Sequence, residues 1–143
     1  MAEEIEIFEK TLHPLDLKVI YNYFPTFYTA LFAMSEYSEL ITKLFIDKKY
    51  NGQYFRVRLY RNMVWKDIYL DCYFPHLPND QTCFTEISFN MIWPQVLEKA
   101  FAKMLGSYQA ISYSPLQNVL TDLIGYPVEV SHIRVKSTSR LCR

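Results

Sequence analysis

The segment "WPQVLEKAFAKMLGSYQAI", from Trp93 to Ile111, decides the fold of this chain. Its apolar residues recur every three or four positions, which is the spacing of an amphipathic helix. Proline fits the first turn of a helix and glycine favours the position just after one, so we expect a helix from Pro94 to Leu105 that stops at Gly106. The predicted apolar stripe consists of Val96, Leu97, Phe101, Met104 and Leu105.

The same helix also contains three charged side chains. Glu98, Lys99 and Lys103 could suggest acid and base chemistry. An amphipathic helix carries charged residues on its solvated face as a rule, and we interpret the three residues in that way.

The segment before this helix has a different period. From Phe55 to Tyr60, apolar and polar residues alternate, which is typical of a half-buried strand. A turn at residues 61–63 and a second β-rich run from Val64 to Leu70 predict a hairpin. We interpret its polar face as a surface for a protein partner rather than for nucleic acid; the candidate residues there are Arg56, Arg58 and Tyr60.

Two further helices are indicated by their end signals. Apolar residues recur at helical spacing from Thr26 to Phe45, and we expect one helix there with Thr26 as its N-cap. Farther on, "SPLQNVLTDLIG" places Ser114 as N-cap, Pro115 at the first helical position and Gly125 as the stop. A short third helix is therefore predicted.

The remaining segments set the predicted boundaries. Residues 1–23 lack a steady period and are interpreted as an irregular leader. Residues 74–90 read as a loop, residues 126–135 ("YPVEVSHIRV") alternate like a strand, and residues 136–143 form a polar tail. We predict a single domain over residues 24–135.

Composition narrows the classes of partner. The chain has 143 residues, half of them hydrophobic, which suits one domain with a full core. Lysine plus arginine and aspartate plus glutamate number 15 each, so no net field attracts nucleic acid or an anionic membrane surface. The apolar runs are too short to span a bilayer and the acidic N-terminus is unlike a secretion signal, so we expect a cytoplasmic protein.

Histidine and cysteine spacing gives no metal or redox motif. His13, His76 and His132 are far apart, and Cys72 and Cys83 lie eleven residues apart with no paired spacing. In the cytosol the three cysteines are expected to be reduced thiols. We expect no metal and no cofactor.

Three motifs together resemble the first half of the papain-like protease core of calpains. They are "FRVRLYRNMVWKDIYLD" at the hairpin, "WPQVLEKAFAKMLGSYQAI" at the following helix and "SPLQNVLTDLIG" at the next short helix. The resemblance runs from about residue 24 to residue 135. It implies an α+β fold, a single protease-core lobe whose helices pack beside a small antiparallel sheet.

The same resemblance implies that the catalytic residues are changed. It places Thr26 at the position of the nucleophilic cysteine and Phe27 at the tryptophan that follows it. Ile20 corresponds to the glutamine that donates to the oxyanion, and residues 23–25 replace the glycines and aspartate before the nucleophile. A threonine without a base or an oxyanion donor is not a nucleophile, so we expect an inactive pseudoprotease.

The rest of the family's machinery is also expected to be lacking. The general-base histidine and its asparagine belong to a second lobe that lies well downstream in calpains, beyond the stretch matched here. The two acidic calcium ligands of the first lobe would fall at Leu17 and Met91, neither of which binds a hard cation. We therefore expect no calcium binding.

A lone lobe would leave bare the face that meets the second lobe. The expected consequence is an aromatic patch available to a protein partner. Its candidate residues are Tyr23, Phe24, Phe27, Tyr28 and Trp93. The favoured hypothesis is a non-catalytic, protein-binding component of a larger intracellular assembly, for which a cilium or the cytoskeleton would be suitable.

Two alternatives stay open at this point. In the first, the chain is a regulatory or split subunit that docks on a second chain carrying the histidine and asparagine lobe. In the second, it is a truncated product with no role of its own.

Overall fold

The computed structural model describes residues 7–8, 12–19, 23–47, 52–78, 85–86 and 91–131. Within these ranges the architecture is α+β, with helices packed beside two small antiparallel sheets. The helices are α1 (Pro25–Ser35), α2 (Ser38–Thr42), α3 (Trp93–Leu105), α4 (Tyr108–Ser112) and α5 (Leu116–Ile124). The strands are β1 (Lys18–Val19), β2 (Phe55–Arg61), β3 (Val64–Leu70) and β4 (Thr85–Glu86).

The predicted hairpin is confirmed as β2 and β3, which pair in register from Phe55 opposite Leu70 to Arg61 opposite Val64. The two turn residues between the strands, Asn62 and Met63, both have positive φ, at 53° and 62°. This is the backbone sign of the tight turn that suits the right-handed twist of a hairpin.

The helix predicted from Pro94 to Leu105 is confirmed as α3. It begins one residue earlier than expected, at Trp93, and ends at Gly106, whose φ is 98° and whose N–H donates to the Ala102 carbonyl at 2.8 Å. Ser107 then caps α4, because its hydroxyl accepts a hydrogen bond from the Ala110 N–H at 3.2 Å. Helix α4 was not predicted, although Ser107 is a residue that favours the N-cap position.

The prediction of one helix from Thr26 to Phe45 is wrong. Helix α1 ends at Ser35, and Tyr37 (φ −119°, ψ 85°) lies outside the helical region before α2 begins. The Ser35 hydroxyl donates to the Phe32 carbonyl at 2.8 Å, an alternative to the helical ladder that serine offers readily. The break lets the chain after α2 reach the hairpin, where Phe45 bridges to Val57.

Two other helix ends differ from the prediction. Helix α1 begins at Pro25, so Thr26 is not its N-cap; that position belongs to Phe24, which makes no side-chain cap. Helix α5 begins at Leu116, because Pro115 (φ −63°, ψ 148°) is extended and occupies the N-cap position predicted for Ser114.

The predicted C-terminal strand is not found where it can be checked. Residues 126–131 form no regular structure, and residues 132–135 of the predicted strand lie outside the described residues, as does the predicted tail. Within the predicted 74–90 loop, Thr85 and Glu86 form β4, which pairs with β1. The Gln95 side-chain amide of α3 donates to the Thr85 carbonyl at 2.8 Å and joins this small sheet to the helix.

The core lies between α1, α3 and the inner face of the hairpin, and its largest fully buried side chain is Trp93. It also includes Ile7 and Leu17, at 0% and 4% exposure, which fall in the predicted leader. Phe8 contacts Phe45 edge-on, with ring centroids 4.7 Å apart. The boundary at residue 23 stays a prediction, but residues before it contribute to the core.

Candidate functional site at the start of helix α1

The start of α1 is held by residues far along the chain. The Thr26 hydroxyl donates to the Ser114 carbonyl at 2.8 Å, across 88 positions of sequence. Beside it, the Ser112 hydroxyl donates to the Tyr23 carbonyl at 3.2 Å. These two bonds fasten the entry of α1 to the connection between α4 and α5.

The chemistry available at Thr26 follows from that bond. Its hydroxyl proton points to a backbone carbonyl, which cannot act as a general base in the way that an imidazole does. Among the described residues, the hydrogen-bond partner of the Thr26 hydroxyl is this carbonyl group of Ser114. The arrangement is that of a structural hydroxyl.

Most of the predicted aromatic patch is not a surface. Phe24, Phe27, Tyr28 and Trp93 are 2%, 0%, 2% and 0% exposed, so this part of the prediction is wrong. The physical reason is that α1 is covered by α5 and α4, and Phe27 packs on Phe101 with ring centroids 5.0 Å apart. Tyr23, at 54% exposure, is the member of the patch that reaches solvent.

The predicted hairpin face is at least partly open to solvent. Arg58 pairs with Asp67 at 2.7 Å on the neighbouring strand, and this hydrogen bond lowers the pKa of the Asp67 carboxyl. Arg56 pairs with Asp47 at 3.2 Å, and Tyr60 packs edge-on against a tryptophan of β3 at 5.3 Å. The use of Arg56, Arg58 and Tyr60 in partner binding stays a prediction.

A buried carboxyl on α3 was missed by the sequence analysis. Glu98 was placed on the solvated face, yet it is 2% exposed, and that placement is wrong. Burial raises the pKa of its carboxyl to about 8, and the neighbouring Tyr28 phenol opposes part of the rise. Burial and the neighbouring Glu98 in turn raise the pKa of Tyr28. The sequence indicated this burial, because Glu98 lies one turn before Phe101, on the apolar side of the helix.

The two lysines of α3 cover the end of strand β3. Lys103 Nζ donates to the Tyr69 carbonyl at 2.6 Å. Lys99 Nζ contacts the Asp71 carboxylate and donates to the Tyr73 carbonyl at 2.5 Å. The interpretation of these lysines as merely solvated was therefore incomplete, since they occupy carbonyl groups near the end of the strand.

A largely buried ion pair joins the hairpin to α5. Arg61 pairs with Asp122 at 2.5 Å, and the Asp122 side chain is 9% exposed. Burial raises the pKa of Asp122, with the Arg61 guanidinium opposing the rise. The pair spans 61 positions of sequence, and no local pattern indicated it.

The positions that the resemblance gives to calcium ligands are apolar and buried. Leu17 and Met91 are 4% and 3% exposed. Among the described residues there is no group of three histidine, cysteine, aspartate or glutamate side chains that could hold a metal ion. The expectation that no calcium binds stays a prediction. No helix in the described part of the chain is long and apolar enough to cross a membrane.

Comparison of the sequence with known protein families places it in the class of the cysteine proteases. The family described as "Calpain family cysteine protease" matches residues 26–143. The chain therefore belongs to the calpain family.

Similar relatives occur in animals and plants. The chain is 30% identical to Calpain-13 of Rattus norvegicus over 104 residues, which cover 69% of this chain and 15% of the rat protein. It is 32% identical to Calpain-C of Drosophila melanogaster over 92 residues, which cover 61% of this chain and 14% of the fly protein. For the calpain-type cysteine protease DEK1 of Zea mays, the identity is 32% over 101 residues, covering 69% of this chain and 5% of the plant protein. The matched segment thus spans 5 to 15% of these relatives' length.

Proposed function

We propose that this calpain-family chain is a non-catalytic module that binds other proteins in a larger intracellular assembly. The observation that carries the proposal is Thr26 at the position of the nucleophilic cysteine, with its hydroxyl bonded to the Ser114 carbonyl. The position of the oxyanion glutamine, Ile20, lies outside the described residues.

Chemistry supports the absence of catalysis by this residue. A thiol at the start of a helix ionises near neutral pH because the helix amides stabilise the thiolate. An alcohol has a far higher pKa and requires an adjacent general base to attack a carbonyl. The Thr26 proton is instead directed at a backbone carbonyl.

Exposed aromatic and apolar side chains are the candidate contact residues for the binding role. Aromatic residues and methionine are enriched in protein interfaces relative to the rest of the surface. The most exposed of them are Met63, Leu15, Tyr73, Tyr113, Tyr126 and Tyr37, at 70 to 86%. An assembly of the cilium or the cytoskeleton is the setting that we propose for this role.

The catalytic half of the proposal is tested by hydrolysis. The purified chain is incubated with a fluorogenic peptide substrate and Ca²⁺, beside the variants Thr26→Ala and Thr29→Ala. Thr29 is the matched control, since it lies on the same helix and its hydroxyl donates to Pro25. We expect no hydrolysis by any of the three. Hydrolysis by the parent chain that Thr26→Ala abolishes and Thr29→Ala retains would show that Thr26 is a nucleophile.

The binding half is tested by crosslinking in native extract followed by mass spectrometry. We expect a constant set of structural proteins crosslinked to lysines such as Lys43 and Lys66. If the main partner instead carries a protease lobe with its own histidine and asparagine, and peptide cleavage appears on mixing the two chains, the regulatory or split-enzyme alternative replaces the scaffold.

A further inference from the structure

A groove opens between the outer face of the hairpin, helix α2 and the end of helix α5. Its volume is about 330 Å³. We call it the α2 groove, and it is defined by Leu40, Lys43, Arg58, Trp65, Ile124 and Tyr126. The groove is separate from the start of α1, where the family's nucleophile would lie.

The apolar wall of the α2 groove is fixed by tight packing. The Trp65 indole lies so close to Gly125 that any Cβ at residue 125 would clash with the ring. On its other side Trp65 packs edge-on against Tyr60, with centroids 5.3 Å apart. Trp65 is nevertheless 44% exposed, and Tyr126 is 72% exposed. A rigid, half-exposed indole is the kind of anchor on which binding energy concentrates.

The charges that line the α2 groove are both positive. Lys43 forms no ion pair with any residue that the structure describes, whereas Arg58 shares its charge with Asp67. No carboxylate is among the lining residues. Asp67, the partner of Arg58, lies beside the groove, and Glu36 and Glu39 line an adjacent cavity that shares Leu40 and Lys43 with it.

We propose that the α2 groove binds an acidic segment of a partner protein, with a large apolar side chain seated against Trp65 and a carboxylate beside Lys43. Charge complementarity favours this occupant, since both charged residues that line the groove are cations and, of these two, only Arg58 forms an ion pair with a described residue. The apolar wall favours an aromatic or aliphatic anchor. Glu36 and Glu39, which line the adjacent cavity together with Leu40 and Lys43, disfavour a ligand that extends its acidic residues past Leu40. This inference rests on the proposed protein-binding function and names the partner's chemistry.

Selection from a display library of short random peptides against the full chain tests the proposal. We expect the enriched peptides to combine aspartate or glutamate with an aromatic or large aliphatic residue. Their affinity should fall with added salt, because the contact with Lys43 is exposed and therefore screened.

Variants locate the binding surface. Lys43→Glu should weaken the binding of the selected peptides at least about tenfold by charge repulsion. Lys66→Glu, the same change on an exposed lysine outside the groove, should alter the affinity by less than about twofold. Tyr126→Ser should also weaken binding, with Tyr113→Ser as its control, since both tyrosines are over 70% exposed and neither substitution removes core packing. Circular dichroism confirms that each variant is folded.

Several outcomes would overturn the proposal. These are no enrichment of any peptide, enrichment of basic peptides, equal binding to the parent chain and to Lys43→Glu, or concentration-dependent dimers that Lys43→Glu abolishes. The last result would assign the groove to a second copy of this chain. If extract crosslinking with Lys43→Glu still captures the parent's partners, the binding function stands and the groove assignment alone fails; if neither protein captures any partner, both fail.

Discussion

At the scale of single residues, the buried carboxyl of Glu98 links the stability of the fold to pH. It lies in an apolar environment beside the Tyr28 phenol, and its pKa is raised to about 8 from an ordinary value of 4.5. A buried carboxyl stays protonated because the charged form would lose its hydration. The folded protein therefore holds a proton that the unfolded chain releases.

Folding stability should depend on pH through Glu98. Because the folded-state pKa is raised, the contribution is full below pH 4.5 and is lost as pH rises toward 8, by at most about 1.4 kcal/mol per pH unit. Glu98→Gln removes the titrating group. The free energy of unfolding of this variant should therefore rise relative to that of the parent as the pH increases from 5 to about 8. Urea unfolding at several pH values measures the difference. Parallel curves for the parent and Glu98→Gln would contradict the prediction.

Residue identity was more predictable from sequence than residue environment. Thr26 at the nucleophile position could be read from the motif, but its hydrogen bond to Ser114 depends on how distant segments pack. The burial of Glu98 was hinted at by its place in the apolar stripe, yet its charge argued for solvent. The aromatic residues of α1 were assigned to a surface because the helices that cover them lie far along the chain.

At the scale of elements, segments with a strong local period were predicted best. The hairpin and helix α3 were found within about one residue, since alternation and the Pro94 and Gly106 signals are local. The break between α1 and α2 was missed, because the apolar spacing continues through it and the cause is a short backbone deviation at Tyr37. The two-residue strands β1 and β4 carry too few residues to show any period.

The hairpin turn offers a stabilising substitution. Met63 has φ 62°, a left-handed conformation that L-residues other than glycine and asparagine rarely adopt, and its side chain is 86% exposed. Met63→Gly should raise the free energy of unfolding by about 1 kcal/mol by relieving this strain without loss of packing. Lys66→Gly, within strand β3, should instead lower it by roughly 0.5 to 1 kcal/mol. Chemical denaturation of both variants checks the contrast, and destabilisation by Met63→Gly would show that the methionine makes contacts of its own.

At the scale of the whole molecule, hydrogen bonds and ion pairs join segments of the fold that are distant in sequence. The Arg61 and Asp122 pair joins the hairpin to α5, and Gln95 joins α3 to the β1 and β4 sheet. The α+β fold was predictable from the resemblance to the calpain protease core, which the hairpin and helix motifs carry. The contribution of the first residues was not, since an isolated apolar pair in an acidic segment looks like a tail.

Ile7 should matter to the stability of the entire domain. It is fully buried in the core although it lies before the predicted boundary at residue 23. Ile7→Ala should lower the free energy of unfolding by about 2 to 5 kcal/mol through lost burial and the cavity that remains. Leu15→Ala, at a side chain 81% exposed, is the matched control and should change stability by less than about 0.5 kcal/mol. Equal small effects in both variants, measured by thermal unfolding, would place the first residues outside the cooperative unit.

The two tryptophans of the sequence differ in their surroundings, so the native protein contains two optical reporters. Trp93 is 0% exposed and should emit at short wavelength until the core opens, whereas Trp65 is 44% exposed and should emit at longer wavelength. A quencher dissolved in the buffer should therefore reach Trp65 and spare Trp93. With Trp93 as an internal reference for folding, shielding of Trp65 from the quencher gives a label-free signal for whatever occupies the α2 groove.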